Sequence, residues 1–480
     1  MNSIWSHTCE IPERGHLSDN IRSEVAVIGA GMAGVLIADA LQTAGFRVVV
    51  LEADRIASGQ TRNTTAKITS QHGLFYRKLT QTLDEQRARQ YAAANEAAVA
   101  EFRRMIADRG IDCDFEEQNN YVYGSDAEAL RAEADCAEWL GLPAAFVQDT
   151  ALPFPTAGAV RFVHQAQFHP LKFLRAVADG LTIFENSPVL CVDEHRLDTD
   201  RGSVTADHIV FAGHYPFVNF PGLYFARMHQ ERSYVIALSD AASMDGMWIY
   251  AEGEEHQYSF RRWGSLLLLG GGSHRCGENS AGGKYDELRR KAQAWFPGCR
   301  EETHWSAQDC VTPDSVPYIG AYAASRPYWH VATGFKKWGM TSSMVSAMLL
   351  RDRISGKANP NAEVFDPGRF SGGTLPGLAA EGGHAVKGLT RRLFQVPDKQ
   401  AETLAPGHGG VVMYKGRKMG VYKDDDGRLY PISLRCPHLG CQLEWNPDER
   451  SWDCPCHGSR FDRYGELISG PAQTDATTGD

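Results

Sequence analysis

Residues 25–41 read VAVIGAGMAGVLIADAL, and this stretch decides the fold of the larger part of the chain. Val25–Ile28 is a short apolar run, and Gly29, Gly31 and Gly34 follow it in the spacing Gly-x-Gly-x-x-Gly. Val35–Thr43 then carries helix formers, Gly45 is placed to cap them, and Val48–Leu51 predicts a second strand ending in Glu52. A strand that turns through glycines into a helix suits a dinucleotide pyrophosphate. The first glycine permits the tight turn, the second lets the backbone approach the phosphates, and the third lets helix and strand pack closely. The amides and dipole of the helix N-terminus favour the anion. Glu52, 23 residues after Gly29, is placed to accept from a ribose hydroxyl. Gly29, Gly31, Gly34 and Glu52 are therefore candidate cofactor-binding residues. The fingerprint alone does not separate FAD from NAD.

Working outward, a similar strand-then-glycine signal recurs at Ile209–Gly213 and at Trp329–Gly334. Between these pieces, residues 85–145 are charged and Ala-rich with helical periodicity, while 220–275 alternate polar and aromatic residues as an antiparallel sheet does. The simplest architecture is an α/β Rossmann-like nucleotide-binding domain interrupted twice by segments of an inserted α+β substrate domain, together spanning 1–368. Leu266–Leu269 followed by Gly270, Gly271 and Gly272 is the one candidate for a second dinucleotide site. Arg275 stands where its third glycine belongs and no acid-ended strand follows, so it reads as a tight turn in a sheet. Residues 369–400 hold glycines and prolines with little periodicity, except near Val386–Phe394, and read as a linker. Residues 401–480 predict a small all-β unit with turns at Lys415-Gly416 and Asp426-Gly427, and a frayed tail over the last ten residues.

Composition excludes several classes. Apolar residues at 43% and charged residues at 22% are ordinary globular usage, which rules out a wholly disordered chain. A net charge of −10 argues against a nucleic-acid partner or a polybasic membrane surface. No apolar run approaches the ~18 residues of a membrane span, and no signal peptide is read at the N-terminus, so a cytoplasmic location is expected. Of eleven cysteines, seven are scattered singly and read as inert thiols, while four lie between 436 and 456. That cluster reads as a site.

The segments VAVIGAGMAGVLIADAL…VVVLEA and TPDSVPYIG…WHVATGFKKWGMTSS (312–343) resemble the D-amino-acid oxidase-like flavoproteins, which include glycine and sarcosine oxidases. The resemblance covers about 21–365 and implies FAD. It places Gly334, Gly339 and Met340 beside the isoalloxazine, with the helix from Thr341 aimed at the flavin C2 carbonyl, where a positive helix end stabilises the reduced anion. It runs the Asn63–Lys67 loop, with Thr65 and Ala66, along the flavin and sets Val189 on the adenine side; Gly213 joins this cofactor group. Lys67 is a candidate catalytic residue, against the alternative of a solvated surface lysine. Tyr234 and Tyr258 are further catalytic candidates, on a sheet facing the flavin that also carries Arg232 and Arg262 as candidate substrate contacts. Glycine oxidase-like members carry an Arg three residues before the TPD motif to hold a carboxylate. Here Asp309 takes that place, suiting a cationic amine or simply capping a turn. The sarcosine-oxidase attachment position falls near Ala307 and not at Cys310, so non-covalent FAD is expected.

Near the C-terminus stand Cys436-Pro-His438 and Cys454-Pro-Cys456-His457. Each loop supplies one thiolate and one imidazole, as a Rieske [2Fe–2S] centre requires with two Cys on one iron and two His on the other. The alternative is a structural zinc site, but zinc fingers pair Cys with Cys and His with His at other spacings. Residues 405–472 resemble the Rieske proteins of the cytochrome bc-type branch, including a trailing Gly470-Pro471. The resemblance implies ligands Cys436, His438, Cys454 and His457, and a disulfide between Cys441 and Cys456. Ser459 matches a hydroxyl donor of the high-potential members, whereas Phe461 stands where they carry a Tyr. One hydrogen bond favouring the reduced cluster is thus expected to be missing.

Both halves together are similar to flavoproteins with a fused C-terminal Rieske domain. The expected function is an FAD-dependent dehydrogenase that oxidises a small amine or amino-acid-like donor. Electrons would then pass through the cluster to an external one-electron acceptor. An oxidase using O2 with an auxiliary cluster, and a non-catalytic redox sensor or electron-transfer protein, are the alternatives.

Overall fold

Asn20–Ile28 becomes the centre of a parallel sheet because its last four residues are apolar on both faces and buried on both. A computed structural model, which describes residues 3–253, 257–369 and 400–477, pairs this strand with Ser203–Phe211 on one side and Val48–Leu51 on the other. Thr182–Phe184 extends the sheet beyond Val48–Leu51, and Arg326–Thr333 then Tyr318–Ala323 extend it beyond Ser203–Phe211. The helix Met32–Thr43 returns over the sheet and packs against the almost wholly buried helix Gly339–Ile354. The helix formers near residue 35 thus have a second helix, as well as the sheet, to pack on.

The second sheet runs in the order Arg300–Val311, His229–Ser239, Leu266–Arg275, Ser259–Trp263, Met247–Tyr250, Glu116–Gly124, Gly158–Gln167 and Lys67–Ile68. The chain crosses between the two sheets repeatedly. The C-terminal unit is all-β, with a three-stranded sheet over His408–Ile432 and a four-stranded one over Glu444–Ser469.

Three expectations need correction. The region 85–145 is not helical throughout: Glu85–Arg109 and Ala127–Trp139 flank the strand Glu116–Gly124, whose polar start hid it from periodicity. Gly270, Gly271 and Gly272 do not turn but continue the strand Leu266–Arg275 through a register shift opposite Arg232 and Tyr234. They are glycines because an added Cβ on Gly270 would lie 2.6 Å from Ser259 Oγ, and one on Gly271 2.9 Å from the Tyr258 ring. The tail is not frayed from its start, since Ala476 is buried and its carbonyl accepts from Ser433 N at 3.0 Å. The expected linker core, 370–399, lies outside the described residues. Among the described residues, no helix is long and apolar enough to cross a membrane.

Candidate active site and cluster loops

At the carboxyl end of the parallel strands, the glycine turn has the close approaches that its spacing implies. Gly29 has φ +103°, and a Cβ there would stand 2.9 Å from the Cα of Gly213. A Cβ on Gly34 would come within 1.8 Å of the Gly29 carbonyl oxygen. Gly31 caps the helix, with the Met32 amide donating to Thr61 Oγ1 at 2.9 Å. Glu52 closes the turn by accepting from Ala30 N at 2.7 Å and Asp54 N at 3.0 Å. Burial pushes its carboxyl pKa up. Side chains at Gly29 and Gly34 would collide with the backbone of Gly213 and Gly29, so the turn keeps the tight form that a pyrophosphate-binding loop needs.

The loop after it is held from behind. Trp305 Nε1 donates to the Asn63 carbonyl at 2.9 Å and Trp5 Nε1 to the Thr64 carbonyl at 2.7 Å. Arg261, itself buried, donates to the carbonyls of Thr65 and Ala66. Four successive carbonyls are thus taken up by fixed donors, and Ala66 is held at φ +53°. Burial pulls the Arg261 guanidinium down to about 9. Sequence reading did not single out Trp5, Trp305 or Arg261 because each reaches the loop from a distant element.

Asn63, Thr64, Thr65 and Lys67 line a cavity with Ser233, Tyr234, Tyr250, Ser273, Ala307, Asp309, Lys337, Trp338 and Met340. Met340 opens the helix Gly339–Ile354, so the positive end of that helix borders the cavity. Gly334, at φ +77°, turns the chain into this helix, where a Cβ would meet Thr312 Cγ2 at 2.5 Å. Burial lowers the Lys67 pKa to about 7 and raises that of Asp309 to about 7. Asp309 lies within the strand Arg300–Val311 and caps no turn. Lys337 Nζ donates to Tyr250 Oη at 2.7 Å and Ser273 Oγ at 2.6 Å. Tyr250, with the carboxyls of Glu231 and Asp309, keeps its pKa raised despite burial. Lys337 and Tyr250 were not anticipated. The adjacent Lys336 goes instead to Glu252, and nothing in the dipeptide tells the two lysines apart.

Other candidates go elsewhere. Tyr258 is not among the cavity residues; its hydroxyl donates to Glu287 Oε1 at 2.9 Å and its ring packs on Trp295. Tyr234 lines the cavity, but its hydroxyl meets His274 Nε2 at 3.1 Å and accepts from Asn279 and Asn446, the latter in the C-terminal unit. Arg232 faces that same unit, and Arg262 is directed to Ser243. Val189 is buried, and its carbonyl accepts from Gln473 Nε2 at 3.1 Å.

The two C-terminal loops converge. His438 Nδ1 and His457 Nδ1 stand 3.2 Å apart, and the Cys454 thiol donates to Cys436, drawing the latter's pKa below the usual thiol value. Three sulfurs, of Cys441, Cys454 and Cys456, lie within 4.8 Å of one another, but Cys441 and Cys456 are joined as a disulfide that clamps the loops. Cys436 and Cys454 remain as thiols. Two sulfurs and two imidazole nitrogens turned inward fit a [2Fe–2S] centre with mixed ligation. Ser459 Oγ accepts from Ala472 N at 3.0 Å, which leaves its proton for Cys436.

The imidazole side of this centre is seated on the larger unit. Asn219 Oδ1 accepts from His438 Nε2 at 2.9 Å. Gln230 Nε2 donates to the His457 carbonyl at 2.5 Å, and Gln308 Nε2 to the Gly458 carbonyl at 2.7 Å. Gly458 must be glycine here, because a Cβ would lie 2.7 Å from the Gln230 side chain.

Comparison with known proteins agrees with this geometry. The sequence model for "FAD dependent oxidoreductase" matches residues 24–353, and that for "Rieske [2Fe-2S] domain" matches residues 394–478. The Rieske 2Fe-2S iron-sulfur protein YhfW of Bacillus subtilis is 34% identical over 98% of this chain and 96% of its own. A cytochrome b6-f complex iron-sulfur subunit of Cyanophora paradoxa is 34% identical over 24% of this chain, and the match spans 47% of that subunit. Among solved structures, glycine oxidase from Geobacillus kaustophilus superposes with a TM-score of 0.62 at 18% identity, covering 73% of this chain and all of the other. L-proline dehydrogenase from P. horikoshii gives 0.61 at 17% identity, covering 72% of this chain and 97% of the other. The chain belongs to the FAD-dependent oxidoreductase family and carries a C-terminal Rieske domain. Its cofactors are FAD and a [2Fe–2S] cluster.

Proposed function

We propose that the protein is a dehydrogenase that oxidises a small amine or amino-acid-like donor at the flavin and sends the electrons one at a time through the Rieske cluster to an external acceptor. The observation that carries this reading is the seating of the His457–Gly458 loop on Gln230 and Gln308. Gln308 lies between Ala307 and Asp309, both of which line the cavity. When bound, the flavin supplies a two-electron acceptor for a C–H bond beside nitrogen, and the cluster supplies a one-electron carrier.

The chain's own residues prepare the donor. Asp309 and Lys67, each with a pKa of about 7, can take the proton that an ammonium must lose before its nitrogen lone pair assists oxidation. Lys337, held as a cation by Tyr250 and Ser273, offsets the Asp309 carboxylate or meets an acidic group of the donor. The glycine oxidase and proline dehydrogenase likenesses support a small nitrogen-bearing substrate. The test is anaerobic flavin bleaching with a panel of amines and amino acids, followed by turnover with a one-electron acceptor and with O2. No bleaching by any nitrogen compound would exclude this donor class. Peroxide production faster than reduction of the one-electron acceptor would favour an oxidase.

A further inference from the structure

Two buried glutamines connect the cavity to the cluster. Gln308 and Gln230 come from neighbouring strands of the second sheet, and both are at most 1% exposed. Gln308 Nε2 donates both to the Gly458 carbonyl and, at 2.5 Å, to Gln230 Oε1, while Gln230 Nε2 donates to the His457 carbonyl. Gln308 Oε1 accepts from Arg232, which is ion-paired to Glu449 and Asp453 of the Rieske domain at 3.7 Å each. On its other side, the Gln308 amide donates at 2.7 Å to Gln60, just before the Asn63–Lys67 loop that lines the cavity. Residue 308 thus joins, through its backbone N–H, the segment leading into the cavity loop and, through its side chain, the sheet and the loop that carries a proposed cluster ligand.

A buried amide is costly unless each of its polar atoms is paired. Here both Nε2 groups reach carbonyls of the Rieske domain, while the two Oε1 atoms accept from Gln308 and Arg232 within the larger domain. Such an arrangement has one low-energy geometry. We propose that Gln308 and Gln230 are positioning residues for electron transfer: they fix the His457 loop against the cavity wall, so that electrons cross between permanently docked domains with no release of the Rieske domain. The inference rests on the flavin-to-cluster route proposed above. Each crossing moves one electron from the reduced flavin to the oxidised cluster, with no bond made or broken in the protein. Two crossings, each followed by loss of the electron to the external acceptor, return the flavin to its oxidised form, and its protons leave to solvent.

Flash reduction of the anaerobic holoprotein by photoexcited 5-deazariboflavin tests this, following the phase in which flavin colour returns as the cluster bleaches. In the wild type that rate should not change with glycerol viscosity. Gln308→Leu and the near-isosteric Gln308→Glu should each slow it at least tenfold and make it viscosity-dependent, with FAD content, iron content and cluster EPR unchanged. Hydrogen exchange over 454–461 should speed up in the same variants, a readout that needs no electron transfer. Equal rates in wild type and in Gln308→Glu, or a wild-type rate that falls with viscosity, would overturn the fixed docking and leave the route standing. Absence of the coupled phase in the wild type would overturn the route and this inference together.

Discussion

Arg232 Nε lies 3.7 Å from Asp453 Oδ2 with both side chains shut off from water, so a charge pair spans the two cofactor-bearing parts of the chain. Glu449 and Arg460 complete the group, with Arg460 at 3.1 Å from Glu449 and 3.3 Å from Asp453. Removing one partner of a buried ionic group typically costs about 3–5 kcal/mol, because the remaining charge is left in a dry site. Arg460 still faces both acids, so Arg232→Met should fall at the lower end of that range. The measurement is the urea midpoint of the transition that includes the Rieske domain. Arg232→Lys should recover little, since one ammonium cannot reproduce the bonds from two guanidinium nitrogens to Ser306 and Gln308. A shift below about 0.5 kcal/mol for Arg232→Met would mean that the group is solvated.

Gly31→Val tests the phosphate cradle. Even a Cβ at this position would lie 3.3 Å from Thr61 Oγ1, and the two further methyls would project from the helix N-terminus where the pyrophosphate passes. The variant should purify with its iron but with little or no FAD. Normal flavin content would show that the loop does not hold the dinucleotide.

Sequence showed what is contiguous. The glycine turn and the Cys-x-His and Cys-x-x-His loops each carry their chemistry within a few residues, and their backbone requirements are local. The contacts that join the domains were not legible. Arg232 alternates properly with the cavity-lining Ser233 on its strand, but Arg232 is covered by the C-terminal unit, and so is the hydroxyl of Tyr234 although Tyr234 also borders the cavity, a fact stored far along the chain at Asn446, Glu449 and Asp453. Tyr258 failed for a related reason. It lies just before the strand Ser259–Trp263, where it meets the helix Lys284–Trp295, and an aromatic residue at a strand's edge does not announce which neighbour it serves.

Asp309 should give a pH signature of known sign. Burial raises its pKa from 3.8 to about 7; Lys337 and Arg232 oppose that rise, and Glu231 adds to it. Between pH 3.8 and 7 the folded chain therefore holds a proton that the unfolded chain has lost, so this group's contribution to stability falls as pH rises through that window and is level above it. Asp309→Asn should match the wild type in melting temperature near pH 4 and exceed it at pH 7 and above. A difference that shrinks as pH rises would contradict the shift.

The proposed route predicts a split in acceptor use. His457→Ala removes one of the two imidazoles and should lose the cluster, while the flavin still bleaches with donor. Turnover with a one-electron acceptor should fall far more than turnover with O2. Equal falls on both would place the cluster off the path.

Cluster tuning is expected to turn on Phe461, which is fully buried beside the strand Ser451–Asp453 that leads into Cys454, the ligand expected from the Rieske resemblance. The Ser459 hydroxyl is already directed at Cys436, so one of the two donors known from the Rieske resemblance is in place. A hydroxyl on the ring of residue 461 would add the second. A donor to a ligand sulfur stabilises the extra negative charge of the reduced cluster, so it should raise the potential. Hydrogen bonds to charged groups are worth roughly 1.5–3 kcal/mol, but the ligand sulfurs already carry negative charge in the oxidised cluster, which is neutral overall, and only the difference between redox states counts. Since a tenfold change in a one-electron equilibrium is about 59 mV, Phe461→Tyr should raise the potential by about tens of millivolts. The wild-type value should accordingly lie below the top of the range of about −150 to +300 mV for such centres. An EPR-monitored redox titration of the full-length protein, wild type beside variant, reads the shift directly. An unchanged or lowered potential with an intact cluster spectrum would mean that the ring at 461 points away from the sulfurs, and that the loss of the tyrosine is not what sets the potential here.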